Sequence, residues 1–332
     1  MAKLDRVGAQ ATKPNGVVIG VDVGGTKVAA GIVTSDGEIL SQTRTPMIAT
    51  GDAAAGFAAV KSAIDSLLAN APKKTARAIG VCAPGPLDPN TGVVINPPNL
   101  PCWRNFPLAD ELTKIYSVPV KIDNDANAAA LAEAQWGAGR GYRNVFYACI
   151  GTGIGTGIVF DGRIYHGRTG AAAEGGHVSI DYRGPRCKCG KPGCIEILAS
   201  GTAIAKSARA KLSSRAGGAK TRSALLDLAQ GNIAAVTTEM VGQAYEAGDP
   251  VAQEVLEETV AVVSLWLSNI VDLLEPDVMI LGGGVAAMLA SSFDEIRKRI
   301  KQYCVNSRAS EIPLVQASYG ADAGIAGGAA LC

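Results

Sequence analysis

The chain has 332 residues, a length that favours two domains over one compact core. Lysine and arginine total 31 and aspartate and glutamate total 30, so charge gives no reason to expect a nucleic-acid partner. Residues 1–16 lack the apolar core of a signal peptide, and the longest apolar run, 259–274, is too short to cross a membrane. We therefore expect a cytoplasmic α/β protein with reduced cysteines and no membrane partner.

The N-terminal half alternates apolar segments with turn residues. Residues 17–40, "VVIGVDVGGTKVAAGIVTSDGEIL", predict a strand, a Gly-Gly turn, a second strand, a Ser-Asp-Gly turn and the start of a third strand. Periodicity and turn residues then predict a helix over 53–70 and a buried strand over 76–84. They further predict a helix over 108–116, a strand over 119–125 and an alanine-rich helix over 126–137.

A second segment repeats the pattern of the first. Residues 145–165, "VFYACIGTGIGTGIVFDGRIY", again predict a strand, a glycine-rich turn, a strand, an Asp-Gly turn and a strand. Placing Gly24 on Gly151 offsets the copies by 127 residues, which indicates duplicated domains; the alternative is that glycine-rich hairpins simply look alike. A capped helix over 249–274, a strand ending in three glycines and a helix or tail over 320–332 complete the chain.

Both hairpin turns have the composition of a phosphate loop. Glycine lets backbone N–H groups approach an anion, and threonine adds a hydroxyl donor. The residues concerned are Gly24, Gly25, Thr26, Lys27, Gly151, Thr152 and Gly153. Asp22 is suited to holding Mg²⁺ through water, and Lys27 to offsetting phosphate charge. Neither turn fits the P-loop or the strand–turn–helix dinucleotide pattern, yet two of them in a duplicated fold predict nucleotide binding; the alternative is two tight turns.

A cluster of polar residues, "KIDNDAN", falls where a strand ends and a helix begins. Ligands gather at the carboxyl ends of strands in open α/β sheets. A carboxylate there can accept a proton from a sugar hydroxyl while its oxygen attacks phosphorus. The alternative is a helix N-cap. We favour a cap or local turn for Asp123, whereas both interpretations stay open for Asp125.

One histidine and three cysteines lie close together in the sequence. His177, Cys187, Cys189 and Cys194 supply one nitrogen and three sulfurs, a full tetrahedral set for Zn²⁺. Four protein ligands leave no open position, which predicts a structural metal. A disulfide would need an oxidising compartment and would leave an odd cysteine. Glu174 and Glu196 are close in sequence to these ligands, which predicts a rigid sugar-binding wall; the alternative is two solvated charges.

On these residues the sequence resembles the ROK family of sugar kinases and repressors, and within it the bacterial ATP-dependent glucokinases. The resemblance covers about 17–328 and depends on "DVGGTK", "APGPLD", "NPPNL", "DNDANAAA", "GTGIGTGIV", "EGGH" and "CKCGKPGCIE". It implies an α/β, two-lobed actin-like ATPase (ribonuclease H-like) fold with duplicated domains and a structural zinc site. We expect a polar tail over 1–16, a small lobe over 17–122 joined by a C-terminal helix over 318–332, and a large lobe over 123–317.

The resemblance also implies roles for individual positions. Asp125 matches the general base that deprotonates the sugar's 6-hydroxyl. The other implied sugar ligands are Gly85, Asn124, Glu174, His177 and Glu196, with His177 also binding zinc beside the three cysteines. The two turns match the phosphate loops, and Gly282, Gly283 and Gly284 match the adenosine side. ATP, Mg²⁺ and structural Zn²⁺ are the implied cofactors, and a homodimer or higher homo-oligomer the implied assembly.

The expected reaction is ATP-dependent phosphorylation of a hexose at its 6-hydroxyl, with glucose as the expected sugar. The alternatives are a kinase for N-acetylmannosamine, fructose or allose, a non-catalytic sugar sensor or repressor, and an actin-type ATPase. Two departures from the family pattern bear on these. The pair Gly175–Gly176, where glucokinases usually carry a larger apolar residue, is expected to loosen the sugar wall. The tail over 1–16 lacks the winged helix of the repressors, which argues against DNA binding.

Overall fold

The computed structural model describes residues 16–69, 76–215 and 223–332, so the predicted tail lies outside the described residues except for Gly16. The described residues divide into two compact units. Unit 1 runs to Asn124 and includes Gly324–Cys332, and unit 2 is Asp125–Ala323. The sequence analysis places the corresponding boundaries at 122/123 and 317/318.

Unit 1 contains a five-stranded sheet in the order β3-β2-β1-β4-β7. Its strands are β1 (Val17–Val23), β2 (Lys27–Val33), β3 (Ile39–Pro46), β4 (Ala76–Ala83) and β7 (Val120–Asn124), and a separate small pair is β5 (Leu87–Asp88) with β6 (Val93–Val94). Its helices are α1 (Ala53–Ala69), α2 (Leu108–Tyr116) and nearly all of α11 (Ala323–Ala330). The strands β1, β2 and β3 pair antiparallel, whereas β1, β4 and β7 run parallel.

Unit 2 contains a second five-stranded sheet in the order β10-β9-β8-β11-β12. Its strands are β8 (Asn144–Ile150), β9 (Ile154–Phe160), β10 (Arg163–Ile164), β11 (Val278–Gly282) and β12 (Leu314–Gln316). Its helices are α3 (Asp125–Gln135), α4 (Glu196–Ala199), α5 (Gly201–Arg215), α6 (Ala224–Leu228), α7 (Thr238–Glu246), α8 (Pro250–Leu274), α9 (Gly283–Met288) and α10 (Phe293–Tyr303).

The two sheets have the same topology. An antiparallel hairpin with a third antiparallel strand occupies one side of each sheet, and two parallel strands occupy the other. The first hairpin turn of each sheet contains one of the two predicted phosphate loops. The repeat seen in the sequence is therefore a repeat of the whole sheet.

Helix α11 packs very closely against the sheet of unit 1. Gly20 and Gly80 are paired across β1 and β4. A Cβ on Gly20 would overlap the carbonyl oxygen of Ile325, and one on Gly80 would overlap that of Gly328. Side chains on this part of the sheet would push the helix away, which explains why both surfaces are built from small residues.

The longest helix, α8, is the buried helix that the apolar run predicts. The Asp249 carboxylate caps it by accepting from the N–H groups of Val251 and Ala252, at 2.8 and 3.0 Å. Trp266 on this helix is fully buried and edge-on to Phe146 of β8. Among the helices of the described segments, none combines the length and the hydrophobicity needed to cross a bilayer.

A buried carboxylate fixes the far end of α3. Glu133 is inaccessible to solvent. Its Oε1 accepts from the N–H groups of Ser318 and Tyr319, at 2.7 and 3.0 Å, and its Oε2 accepts from that of Ala138 at 2.8 Å. Three backbone donors compensate for the loss of water around the charge.

We expect Glu133→Ala to lower the free energy of unfolding by about 2–4 kcal/mol, because three buried N–H groups lose their acceptor. Glu133→Gln keeps an acceptor for Ser318 and Tyr319, so its effect is expected to be smaller. Thermal and urea unfolding check both variants. Glu311→Ala, which breaks an exposed ion pair with Arg308, is the control and should leave the free energy of unfolding nearly unchanged. Equal effects at positions 133 and 311 would contradict the assigned role.

Candidate active site

In unit 1 the turn between β1 and β2 is a compact glycine loop. The Gly24 N–H donates to the Lys27 carbonyl oxygen at 2.9 Å. A Cβ on Gly25 would lie 2.8 Å from the carbonyl oxygen of Asn99, so a larger residue would displace that neighbouring loop. Thr26 and Lys27 are exposed, which leaves a hydroxyl and a cation open to solvent at the tip of the turn.

Asp22 lies at the base of this turn, in the last part of β1. It pairs with Cys82 of β4, whose Sγ lies 3.6 Å from Asp22 Oδ1. A Cβ on Gly324 would overlap the Asp22 carboxyl group, so α11 closes over it from another side. Burial raises the pKa of the Asp22 carboxyl, although the Cys82 thiol and the charge of Lys27 act in the opposite direction.

Unit 1 also brings Gly85 and Asn124 together. They follow and end two neighbouring parallel strands, β4 and β7. A Cβ on Gly85 would lie 3.7 Å from Asn124 Nδ2. The interpretation of Asp123 as a cap or a local turn is wrong, because Asp123 is a buried residue of β7. Its Oδ1 accepts from the Asn124 N–H at 2.7 Å.

Asp125 is the first residue of α3 and directly follows β7. It is exposed, and its Oδ1 accepts from the Ala126 N–H at 2.8 Å. Burial, and after it the negative charge of Asp125, raise the pKa of the Cys149 thiol near the end of β8. The carboxylate therefore acts electrostatically on the strand that leads into the second glycine loop.

The second loop, Gly151–Gly153, is held by hydrogen bonds from the segment that follows the cysteine cluster. The Gly201 N–H donates to Gly151 O at 2.7 Å, and Thr202 Oγ1 donates to Thr152 O at 2.8 Å. The Ile154 N–H at the end of the loop donates to Glu196 Oε2 at 2.9 Å. The structure thus brings the predicted Glu196 to the predicted phosphate loop.

A cleft of about 640 Å³ opens beside this loop in unit 2. Small and hydroxyl residues make up much of its lining, including Gly151, Thr152, Gly201, Thr202, Thr237, Thr238, Gly242 and Gly284. Its size is that of a small-molecule site. Of the three predicted glycines, Gly284 lines the cleft; Gly282 precedes α9 and Gly283 begins it with a positive φ of 87°.

Among the described residues that line the cleft, the charged side chains are two carboxylates and one guanidinium. Glu239 and Glu246 line it, together with the guanidinium-bearing Arg209. Arg209 directs Nε and Nη2 to the Val236 carbonyl oxygen, at 3.0 and 2.6 Å. These residues were not identified from the sequence, because nothing in it marks α5 and α7 as more than helical segments. The adjacent Thr237 and Thr238 were the available clue, since Thr237 is the N-cap of α7 and Thr238 is its first residue.

The predicted metal ligands form one cluster. The ligand atoms of His177, Cys187, Cys189 and Cys194 all lie within 4.8 Å of one another. Cys187 Sγ is 3.6 Å from His177 Nδ1, and Cys189 Sγ is 3.5 Å from Cys194 Sγ. A tetrahedral ion with bonds of about 2.0–2.3 Å requires ligand atoms about 3.5–3.8 Å apart. Burial, followed by the neighbouring thiols, raises the pKa of the Cys194 thiol to about 12.

The segment Glu174–His177 contains the glycine pair that was expected to loosen the wall. Both glycines are buried in a 3-10 turn rather than lying in open space. A Cβ on Gly176 would overlap the Ile154 carbonyl oxygen, and one on Gly175 would lie 2.6 Å from Thr156 Oγ1. Trp266 Nε1 donates to Gly175 O at 3.1 Å. The structure contradicts the expected loosening, because the glycines permit close packing against β9. Glu174 itself is exposed.

Comparison with known proteins gives consistent matches over nearly the whole chain. The model of the ROK family matches residues 18–332. The glucokinase of Thermotoga maritima is 33% identical over 315 residues, which cover 95% of this chain and 96% of that enzyme. An N-acetylmannosamine kinase of Escherichia fergusonii is 30% identical over 314 residues, covering 94% of this chain and 97% of the relative.

A solved structure provides a further match. The ROK family glucokinase from Streptomyces griseus in complex with glucose and AMPPNP aligns with a TM-score of 0.80 at 33% sequence identity. The alignment covers 96% of this chain and 99% of that one. The α/β fold is therefore that of the ROK glucokinases.

We expect Gly176→Ala to lower the thermal midpoint and to displace the residues on either side of the 3-10 turn, because no Cβ fits against Ile154 O. A loss of about 1–3 kcal/mol is typical of overpacking. Gly284→Ala is the control. Its Cβ would enter open space at the start of α9, so the thermal midpoint should stay the same or rise slightly. A Gly176→Ala protein as stable as the parent would show that this turn is loosely packed.

Proposed function

This chain belongs to the ROK family, and we propose that it is a glucokinase that transfers the γ-phosphoryl group of ATP to the 6-hydroxyl of glucose. The observation that carries the proposal is a juxtaposition in unit 2, where Glu196 of the predicted sugar wall hydrogen-bonds to the loop that flanks the nucleotide-sized cleft. A phosphoryl-transfer enzyme needs its acceptor and its donor loop in such direct proximity.

The donor in this proposal is a nucleoside triphosphate. Thr152 offers a backbone N–H group and a hydroxyl for phosphate oxygens in the cleft, and small residues such as Gly151 leave room for a nucleoside. Inorganic polyphosphate would need several cations along its path. The cleft instead contains the carboxylates of Glu239 and Glu246, which would repel a polyanion. The arginine in its lining, Arg209, already donates two hydrogen bonds to Val236 O.

Mg²⁺ accompanies ATP in this proposal, and the residues of unit 1 fit it. Asp22 is a largely enclosed carboxylate beside the Gly24–Thr26 turn, and hard cations favour carboxylate oxygen, directly or through water. Bound Mg²⁺ supplies positive charge that stabilises the transferring phosphoryl group. Lys27, exposed at the tip of the turn, adds a cation for phosphate oxygens.

Asp125 is the proposed general base. It is exposed at the head of α3, so its carboxylate is open to a substrate hydroxyl, and its hydrogen bond to Ala126 N–H orients it. The residues proposed to bind and orient the sugar are Gly85, Asn124, Glu174, His177 and Glu196. Carboxylates suit this task because they accept strong hydrogen bonds from several hydroxyls. The backbone N–H groups of Gly25, Thr26, Thr152 and Gly153 are proposed to stabilise phosphate charge.

We assign a structural Zn²⁺ to the cysteine cluster. Three thiolates and one imidazole match the ligand preference of zinc, and the ligand atoms lie within 4.8 Å of one another, with two of the pairs at 3.5 and 3.6 Å. When bound, the ion would hold together a loop that has few buried apolar side chains.

Two further parts of the proposal rest on family membership. These are assembly as a homodimer or higher homo-oligomer and a cytoplasmic location.

The proposal is tested by ADP production from Mg-ATP with glucose, mannose, fructose, N-acetylglucosamine, N-acetylmannosamine or no sugar. We expect strong stimulation of ADP production by glucose, and no formation of glucose 6-phosphate when polyphosphate replaces ATP. Asp125→Asn keeps an acceptor for Ala126 N–H but removes the base, so kcat should fall about 10²–10⁴-fold with an unchanged thermal midpoint.

Each other outcome has a definite meaning. Preferential stimulation by N-acetylmannosamine would transfer the proposal to the second candidate, which the 30% identical relative favours. Absence of stimulation by every sugar would overturn the kinase proposal and favour a sugar sensor. An Asp125→Asn protein with near-full kcat would remove Asp125 from the role of base.

Metal analysis checks the zinc proposal. We expect about one Zn²⁺ per chain, and Cys187→Ala/Cys189→Ala should lose it and unfold at a lower temperature. Cys102→Ala changes a cysteine outside the cluster and should keep the full zinc content. A double variant with unchanged metal content and stability would contradict the proposal.

A further inference from the structure

Glu196, which is assigned to the proposed sugar wall, also contacts the Gly151–Gly153 loop. It is the first residue of α4, and its Oε2 accepts from the Ile154 N–H at 2.9 Å. A Cβ on Gly153 would lie 2.6 Å from the same oxygen. The carboxylate is therefore packed against the C-terminal end of the phosphate loop, where only glycine leaves room for it.

The start of the same loop is held by the residues that follow α4. The N–H of Gly201 donates to Gly151 O at 2.7 Å, and the hydroxyl of Thr202 donates to Thr152 O at 2.8 Å. The short segment Glu196–Thr202 thus bonds to both ends of the loop. The Gly151 N–H donates to Gly153 O at 2.9 Å, so fixing the loop from both ends leaves the N–H groups of Thr152 and Gly153 preorganised for an anion.

The other end of this segment belongs to the sugar wall. Ile195, directly before Glu196, donates its N–H to Val178 O at 3.0 Å, one residue after His177. Cys194 of the metal cluster comes one residue earlier. Glu196 therefore lies between two groups of residues that the proposed mechanism treats separately.

We propose that Glu196 is a positioning residue for the phosphate loop in addition to being a sugar ligand, so that the acceptor and donor sites share one carboxylate. The inference rests on the proposed function, because it assigns the loop to the nucleotide and the wall to the sugar. A negative charge beside a phosphate loop opposes phosphate binding, so its presence there requires a compensating role. The hydrogen bond to Ile154 N–H is that role.

The shared carboxylate also couples the two ligands. A sugar hydroxyl that donates to Glu196 withdraws negative charge from the carboxylate and thereby weakens its repulsion of phosphate. Glucose is then expected to strengthen nucleotide binding, and the nucleotide must strengthen glucose binding by the same factor.

The test measures the dissociation constant of Mg-ADP by calorimetry without sugar, in the parent protein and in Glu196→Ala, Glu196→Gln and Glu257→Ala. The first two variants both remove the charge, but glutamine keeps an oxygen that accepts from Ile154 N–H. We expect Glu196→Ala to bind ADP about fivefold more weakly than Glu196→Gln, the effect of one hydrogen bond. Glu257 is an exposed carboxylate of α8 that does not line the cleft, and its removal should leave ADP affinity within twofold of the parent.

Equal ADP affinity of the alanine and glutamine variants, at equal thermal midpoints, would overturn the inference. A parent protein that binds neither ADP nor glucose would instead overturn the proposed function, so the two failures are distinguishable. If Glu196→Ala does not fold, Gly153→Ala serves in its place, because its Cβ displaces the carboxylate from the loop. Parent-like ADP binding by Gly153→Ala would then count against the inference.

Discussion

The close approach of two small-residue helices to the two sheets is the constraint on which the rest of the fold depends. In unit 1, Gly20 and Gly80 leave space for the backbone of α11. In unit 2, a Cβ on Gly157 of β9 would lie 2.6 Å from Ala126 O, so α3 packs on its sheet in the same way. Because the backbone of each helix touches its sheet directly, the position of each helix start is fixed closely.

This packing positions two carboxylates of the proposed site. Asp125 is the first residue of α3, so the contact of Ala126 with β9 fixes the backbone of the proposed base. Asp22 is enclosed by Gly324 at the start of α11 and by Cys82 of β4. In both cases a steric requirement of the fold helps to place a group of the proposed site.

The acidic residues of the two units divide according to their access to solvent. Glu133 is fully buried, and its carboxylate accepts from three backbone N–H groups. These hydrogen bonds stabilise the fold. Asp125 and Glu174 are exposed and Glu196 is half-buried. Asp125 accepts from Ala126 N–H, and Glu196 accepts from Ile154 N–H. Solvent access thus separates the buried structural carboxylate from the three that are proposed to bind a ligand.

Sequence patterns predicted the features that depend on neighbours along the chain. The strands of both hairpins, the cap and length of α8, the repeat of the two glycine turns and the grouping of His177 with the three cysteines are of this kind. The cleft beside α5 and α7 was missed because its lining comes from distant segments with ordinary helical composition. The error at Asp123 arose because a polar residue near a helix start suggests a cap, whereas here β7 continues through it.

The glycine pair before His177 shows how composition alone can mislead. Two adjacent glycines suggested a loose wall, but the structure uses them to bring the 3-10 turn into contact with β9, the strand that follows the phosphate loop. Close contact with that strand and the bond from Ile154 N–H to Glu196 join the proposed sugar wall to the donor loop from two sides. The proposed structural metal would make rigid a segment whose displacement would disturb both of the proposed substrate sites at once.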